Sequence, residues 1–317
     1  MDVSLTAWVA LIVGLVALLL LDLFVIHRDA TVVSIRDAAW STAGFIAVSV
    51  AFGIGLGIVE GVDVAQQFFA GYVLEKSLSL DNVFVWAVIF SSFGVPEAYQ
   101  RRVLFYGVFS ALVLRGAFVA AGNELLNRFE WVVYVFGALL LWSGLRLLRH
   151  GSGHDPAASA VLRFFMRHFP TTTRLAGARL LVSASEVPEA DRPRRRPLLG
   201  RWYATPLLAV LVVIEATDVI FAVDSIPAIF GVTREPFIVF SATALALLGL
   251  RSLYFLLAGV RMRFAYLDTG LAIILAFVGA KFLLADVVEI GPTVSLVVIV
   301  AVVATAIGAS ALRPAPR

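Results

Sequence analysis

Long apolar segments separated by short polar ones occupy almost the whole chain. A helix that crosses a bilayer needs about 20 mainly apolar residues, and segments of that length recur along the sequence. We predict nine membrane spans, at about 5–26, 39–59, 65–93, 102–122, 125–148, 204–230, 236–259, 265–285 and 293–312. The first apolar run is too long for a signal peptide and is interpreted as a retained span. The pattern predicts an all-α, polytopic membrane protein in which residues 1–317 form a single transmembrane domain.

Composition supports this interpretation and limits the chemistry. Hydrophobic residues make up 61% of the 317 residues, whereas apolar residues make up about 45 to 50% of soluble domains. Cysteine is absent, which excludes disulfides, thiolate metal ligands and cysteine nucleophiles. Any metal site must therefore use oxygen or imidazole ligands.

The distribution of basic residues predicts the orientation of the chain. Short cytoplasmic loops carry an excess of lysine and arginine, and arginines follow the first, third, fifth, seventh and ninth predicted spans. Acidic residues are more prominent in the loops on the other side. We therefore expect the N-terminus outside, the C-terminus in the cytoplasm, and residues 149–203 as a basic cytoplasmic loop.

One segment of this loop mixes aromatic and basic residues. Phe164, Phe165 and Phe169 alternate there with Arg163 and Arg167. That pattern is typical of a helix that lies on an anionic membrane surface with its arginines near the lipid headgroups. An ordinary basic linker is an equally good interpretation.

Two parts of the chain, 65–148 with spans three to five and 204–285 with spans six to eight, share three features in the same order. Each begins with two carboxylates six residues apart. The next span contains one arginine, Arg115 or Arg251, and the third span ends with glycine and a nearby basic residue. By the charge pattern the two parts have opposite orientations. We predict an inverted repeat, which is typical of transporters with a site near the middle of the membrane.

At least five carboxylates are predicted to lie at membrane depth, Glu75 and Asp81 in span three and Glu215, Asp218 and Asp224 in span six. A charged side chain at this depth costs several kcal/mol unless it is paired or hydrated, so it indicates a functional site. The two spans run antiparallel in this topology. We therefore expect Glu75 at the depth of Asp224 and Asp81 at the depth of Asp218, around one chamber.

This chamber is expected to bind a divalent metal ion. The predicted ligands are the five carboxylates with one neutral neighbour: Glu75, Asp81, Asn82, Glu215, Asp218 and Asp224. Oxygen ligands without cysteine favour Mg²⁺, Ca²⁺ or Mn²⁺ over soft metals. Residues six apart share a face only if the helix unwinds, and Pro227 predicts unwinding because it removes the hydrogen bond to the carbonyl of Val223.

An internal ion-pair network is the alternative interpretation. In it, four basic residues neutralise the buried acids: Lys76, Arg115, Arg251 and Lys281. It accounts for the basic residues but gives no reason to bury five acids. Asp22, near the inner end of span one, is either part of a gate or paired with His27 or Arg28.

At these residues the chain resembles the TerC family, the tellurium-resistance-associated integral membrane proteins that include the Alx-type manganese exporters. The matching stretches are 21–23 with 27–28, 75–85, 95–103, 204–206, 215–230 and 249–259. The resemblance implies a multi-pass protein of the bacterial inner membrane that exports Mn²⁺, with protons as a further coupling ion. Some relatives are associated instead with tellurite resistance or with membrane-protein assembly.

We therefore expect a divalent cation exporter with manganese(II) as its transported substrate. Asp81, Asp218 and Asp224 would bind the ion directly, and Glu75 and Glu215 would bind it or carry protons. The alternatives are a membrane scaffold or assembly factor, and a calcium/proton exchanger. No catalytic motif is present, so neither an enzyme nor a prosthetic group is expected. The expected partners are the metal ion, protons and the lipid bilayer, without nucleic acid, and the oligomeric state stays open.

Overall fold

The computed structural model describes residues 3–22, 34–129, 131–150, 156–172, 174–193, 198, 201–260, 266–284, 286–288 and 290–312. The helices before the central loop are α1 (Leu5–Leu21), α2 (Ile35–Glu60), α3 (Val62–Ser92), α4 (Glu97–Arg128) and α5 (Val132–His150). The loop contains α6 (Pro156–His168) and two short strands, β1 (Leu181–Ser183) and β2 (Trp202–Ala204). After it come α7 (Pro206–Phe230), α8 (Pro236–Leu247), α9 (Leu250–Val260), α10 (Leu267–Leu283) and α11 (Pro292–Leu312).

Length and composition identify helices that could cross a membrane. Within the described part of the chain, five helical segments are long and apolar enough to cross one: 35–60, 97–128, 206–230, 236–257 and 292–310. Shorter apolar helices cover 5–21, 132–148 and 269–283. These helices confirm an all-α membrane protein.

The boundary between the predicted fourth and fifth spans was wrong. Helix α4 continues to Arg128, and the amide of Phe129 still donates to the carbonyl of Leu125 at 3.0 Å. Helix α5 begins only at Val132. A change in hydropathy marks the edge of an apolar run, but a helix continues into polar residues for as long as its backbone bonds are made.

Two buried clusters form the interior. One lies between α1, α3, α4, α7 and α8 and includes Leu15, Phe68, Phe90, Leu104, Leu207 and Ile238. The other lies between α3, α5, α7, α10 and α11 and includes Leu74, Leu140, Ile229, Ile274 and Ile299. Helices α3, α4, α7 and α8 contribute to both clusters, so they occupy the centre of the bundle.

Helices α5 and α10 approach closely through glycines. A Cβ added at Gly279 would lie 2.8 Å from the carbonyl oxygen of Gly137, and one at Gly144 would lie 2.8 Å from that of Ala272. No side chain fits at these distances. Small residues let helix backbones approach in membranes, where packing contributes much of the association energy.

The predicted seventh span is interrupted in its middle. Helix α8 ends at Leu247 and α9 begins at Leu250, although the residues on both sides remain buried. Gly249 has φ +81°, a conformation that favours glycine, and a Cβ there would lie 2.9 Å from the Cβ of Phe45. The close approach of α2 and the backbone conformation thus both require glycine at the break.

The unwinding expected at Pro227 was wrong. Helix α7 continues through Pro227 to Phe230, and the amide of Gly231 donates to the Pro227 carbonyl at 3.0 Å. A proline in the last turn removes one hydrogen bond without ending the helix before it. Asp218 and Asp224 therefore project from different faces of a continuous helix.

The central loop contains a helix, α6, where the sequence left a helix and an ordinary linker equally open. Phe165 is buried against Ala204 and Ala209 at the start of α7, whereas Phe164 and Met166 are 61% and 51% exposed. Beside it, β1 and β2 pair antiparallel, with Val182 opposite Tyr203. Contact between α6 and the membrane surface stays a prediction.

Candidate cation site between α3, α4 and α7

Helices α3 and α7 cross the centre of the molecule antiparallel to each other. A Cβ on Gly71 would lie 3.5 Å from Cγ2 of Ile229, and Nδ2 of Asn82 donates to Oδ1 of Asp218 at 3.4 Å. The direction from Gly71 to Asn82 along α3 is therefore the direction from Ile229 to Asp218 along α7, so the two helices run antiparallel. This register brings the backbone of Glu75 near the level of Asp224, the relation expected from the sequence.

Arg115 on α4 joins the carboxylates of α3 and α7. Its Nη1 donates to Oε1 of Glu75, and its Nη2 lies 3.5 Å from Oδ1 of Asp218. Glu75, Arg115 and Asp218 are 0%, 1% and 3% exposed. We call Glu75, Asn82, Arg115 and Asp218 the Arg115 cluster. When both acids are ionised, one guanidinium leaves one of their two negative charges uncompensated within the cluster.

Three oxygens of this cluster are buried and have no hydrogen-bond donor among the residues that the structure describes. They are Oε2 of Glu75, Oδ1 of Asn82 and Oδ2 of Asp218. Buried polar atoms are nearly always paired, and an unpaired one indicates a place for an ion or a water molecule. Because all three are acceptors, a cation suits them.

Glu215 extends this acidic region along the interface of α4 and α7. It lies three residues before Asp218, so both side chains project from one side of α7. The hydroxyl of Ser110 on α4 donates to Oε1 of Glu215 at 2.5 Å. Oε2 of Glu215 is buried and has no partner within the described part of the chain.

Asp224 lies against a different helix. The hydroxyl of Ser143 on α5 donates to its Oδ1 at 2.7 Å, and the side chain is only partly buried. The expected chamber shared by Glu75, Asp218 and Asp224 was therefore wrong in this arrangement. The cause is the unbroken α7, which turns Asp224 away from the Arg115 cluster.

The predicted ligand Asp81 lies on α3, but its side chain is outside the described set. Among the described side chains, no three acidic or histidine residues converge as a ready-made metal site. Arg115 bridges Glu75 and Asp218 instead. The arrangement therefore places two buried acids around an internal cation, the guanidinium of Arg115.

Two further basic residues, Lys76 and Lys281, are partly buried, and neither bonds directly to an acid among the described side chains. Nζ of Lys76 donates to the backbone carbonyl of Ala246 at 3.0 Å, and Nζ of Lys281 donates to the hydroxyl of Ser295 at 3.0 Å. In the alternative ion-pair network, these two lysines therefore contribute charge without a direct bond to an acid among the described side chains.

Arg251 belongs to a separate ion pair at the start of α9. Its Nη2 lies 2.7 Å from Oδ2 of Asp22 and donates to the carbonyl of Asp22 at 2.7 Å. The two residues are 229 positions apart, so no local signal indicated the pair. His27 and Arg28, the partners considered for Asp22 from sequence, lie outside the described residues.

Sequence reasoning also missed the serines that hold two of the acids, Ser110 and Ser143. Each is a serine within an apolar helix and carries no distinguishing motif. Their partners depend on which faces of α4 and α5 turn toward α7.

Comparison with known proteins assigns the chain to a family. The integral membrane protein TerC family matches residues 60–315. An uncharacterized membrane protein of Myxococcus xanthus is 42% identical over 307 residues, which cover 96% of this chain and 92% of the relative. A protein of Salmonella typhi named as the membrane-bound redox modulator Alx is 42% identical over 306 residues, 92% of this chain and 89% of the relative.

A third relative is the tellurium resistance protein TerC of Serratia marcescens. It is 38% identical over 325 aligned positions, which cover 97% of this chain and 93% of the relative. No solved structure matches the chain. The family match and these relatives extend over nearly the whole sequence, the acidic helices α3 and α7 included, and the chain therefore belongs to the TerC family of integral membrane proteins.

Proposed function

We propose that this protein exports a divalent cation, manganese(II) above all, and that the ion binds among the carboxylates around Arg115. The observation that carries the proposal is the set of unpartnered buried oxygens on Glu75, Asn82 and Asp218. Carboxylate and amide oxygens favour hard cations such as Mn²⁺, Mg²⁺ and Ca²⁺.

Arg115 would act as the internal counter-ion of the empty site. Two buried carboxylates without a cation would be costly, and the guanidinium lowers that cost until the substrate arrives. A divalent cation on the unpartnered Oε2 of Glu75 and Oδ2 of Asp218 would share both carboxylates with Arg115, and repulsion between the two cations would weaken the bonds to Arg115. Protons compete for the same carboxylate oxygens, and antiport would need no separate proton site.

The inverted repeat is part of this proposal. If α3, α4 and α5 correspond to α7, α8–α9 and α10, a two-fold axis in the membrane plane relates the contact between α3 and α8 to the contact between α4 and α7. Both pairs pack together, and α5 packs against its own equivalent, α10. Alternating access would then move one repeat against the other around the acidic site.

We further propose nine spans in a bacterial inner membrane, with the N-terminus outside, the C-terminus inside and α6 on the cytoplasmic leaflet. Because the chain has no cysteine, a single introduced cysteine is its only thiol, and labelling of that thiol reports its side of the membrane. An impermeant maleimide is expected to label Ser185→Cys only in inside-out vesicles and Glu60→Cys only in right-side-out vesicles. A fluorophore on Phe164→Cys should be quenched by brominated lipid, whereas one on Ser185→Cys should not. Labelling from the opposite sides would reverse the topology.

The export activity is tested with purified protein in sealed vesicles that contain a manganese-sensing dye. We expect the unmodified protein to move Mn²⁺ and Asp81→Asn to move none above empty vesicles. Asp63→Asn is the matched control, because Asp63 lies on the same helix but is exposed. If Asp81→Asn transports as well as the unmodified protein, Asp81 is not a ligand. Competition by Ca²⁺ at equal concentration would indicate the calcium/proton exchanger instead.

A membrane scaffold or assembly factor is the second candidate, and one observation favours it. Arg115 pairs directly with both Glu75 and Asp218, as in a charge network that only fixes helix positions. In that case, deletion of residues 174–193 would abolish function in cells, while carboxylate substitutions would change stability alone. The relatives named for tellurium resistance and redox modulation suggest further roles in cells. Without cysteine, a redox role would not use a thiol of this chain.

A further inference from the structure

A lysine from another helix binds backbone carbonyls at the break between α8 and α9. Lys76, on α3, donates from Nζ to the carbonyl of Ala246 at 3.0 Å and reaches the carbonyl of Leu248 at 3.5 Å. Every residue from Ser241 to Tyr254 is buried. The break therefore lies inside the protein, and Lys76 enters it from the side.

This break has the chemistry of a cation site made from backbone. The last carbonyls of a helix lack intrahelical donors and form the negative end of its dipole. Carbonyls in that state are tolerated at membrane depth only where something else satisfies them. The two acceptors that Lys76 contacts are both carbonyl oxygens. Interrupted helices in transporters coordinate monovalent cations with oxygens of this kind.

Neighbouring positions on α3 connect the break to the acidic site. Glu75 turns toward α4, where it meets Arg115, while Lys76 turns toward α8. One turn of α3 therefore contacts both the Arg115 cluster and the α8–α9 break.

We propose that the α8–α9 break is a monovalent-cation site that the chain fills with the ammonium of its own Lys76. An alkali cation or a small primary ammonium ion is the class of ligand that fits when the tethered charge is removed. On the proposed export function, a charge fixed to the protein would take the place of a co-transported ion, and export would need neither Na⁺ nor K⁺.

The test is the thermal unfolding midpoint of full-length Lys76→Ala in detergent, in chloride salts of Na⁺, K⁺, ethylammonium and choline at equal ionic strength. Alanine removes the ammonium and leaves space beside the carbonyls. We expect a lower midpoint than the unmodified protein in choline, and a recovery of at least about 2 °C with ethylammonium, Na⁺ or K⁺. The unmodified protein should have the same midpoint in all four salts.

Lys281→Ala is the control, because Lys281 bonds to a serine hydroxyl instead of helix-end carbonyls. It should show no recovery specific to one cation. An equal midpoint of Lys76→Ala in all four salts overturns the proposal. If Lys76→Ala does not accumulate, Lys76→Ser, whose side chain is too short to reach the carbonyls of the break, is measured in the same series and judged in the same way.

This measurement does not depend on manganese export. If the unmodified protein moves no Mn²⁺ but Lys76→Ala recovers stability with specific cations, the export function is refuted and the cation site at the α8–α9 break stands. If the protein transports Mn²⁺ but the midpoint of Lys76→Ala is the same in all four salts, the export function stands and the cation site at the break is refuted.

Discussion

Arg115→Met is expected to lower the free energy of unfolding by about 3 to 5 kcal/mol, the range measured when one partner of a buried ion pair is removed. Arg115 is 1% exposed and is the shared partner of Glu75 and Asp218. Methionine keeps much of the side-chain length, so packing changes less than charge. The measurement is denaturant or thermal unfolding of the purified protein in one detergent.

A second substitution should distinguish charge from packing. Adding Glu75→Gln to Arg115→Met is expected to recover part of the lost stability, because only Asp218 then remains uncompensated in the cluster. Arg128→Met, at the exposed end of the same helix, should change stability by less than about 0.5 kcal/mol. Unchanged stability in Arg115→Met, or no recovery in the double variant, would show that the acids are not held as an ion pair.

The membrane fold was predictable because the required signal is local. Apolar length alone indicates helices that could cross a membrane, and the acids within them indicate α3 and α7 as the helices of the predicted site. The alternation of arginines then orients the two helices in opposite directions, which agrees with the contacts at Gly71 and Asn82. The aromatic and basic pattern of the loop left a helix and an ordinary linker equally open, and α6 decides for the helix.

The position of the helix break was not predictable, because it depends on contacts between distant parts of the chain. Pro227 is the stronger local signal, but it lies in a last turn where the helix tolerates it. Gly249 interrupts its span because α2 approaches through Phe45 and because Lys76 satisfies the carbonyls that the break exposes. Neither contact can be recognised when each segment of the sequence is considered separately.

The same limit applies to the acidic site. Residue type and depth located the carboxylates of the predicted site, but the rotation of α7 decides which of them meet. Asp218 faces α4 and Arg115, whereas Asp224 faces α5 and Ser143. The six-residue spacing implied this difference for an unbroken helix, and the assumed unwinding at Pro227 concealed it.

This division of α7 gives a prediction that separates binding from transport. Asp218→Asn is expected to weaken Mn²⁺ binding by at least about 100-fold, since even residues that only orient metal ligands cost about 10 to 100-fold when changed. It should also abolish transport. The variant should still fold, because Arg115 keeps Glu75 as a partner and the cluster loses a negative charge that it did not compensate. Binding is measured by titration calorimetry in detergent, and transport by the dye assay in vesicles.

Asp224→Asn serves as the comparison, because it removes the same charge from the same helix at a place that the Arg115 cluster does not reach. We expect its Mn²⁺ affinity to stay within about 3-fold of the unmodified protein, the usual context-dependent range for a residue outside the site, while its transport falls. Asp224 would then be a second station for the ion between α5 and α7. Equal loss of binding in both variants would mean that both carboxylates hold one ion at the same time. Because a continuous α7 turns them to different faces, α7 would then have to unwind when the ion binds.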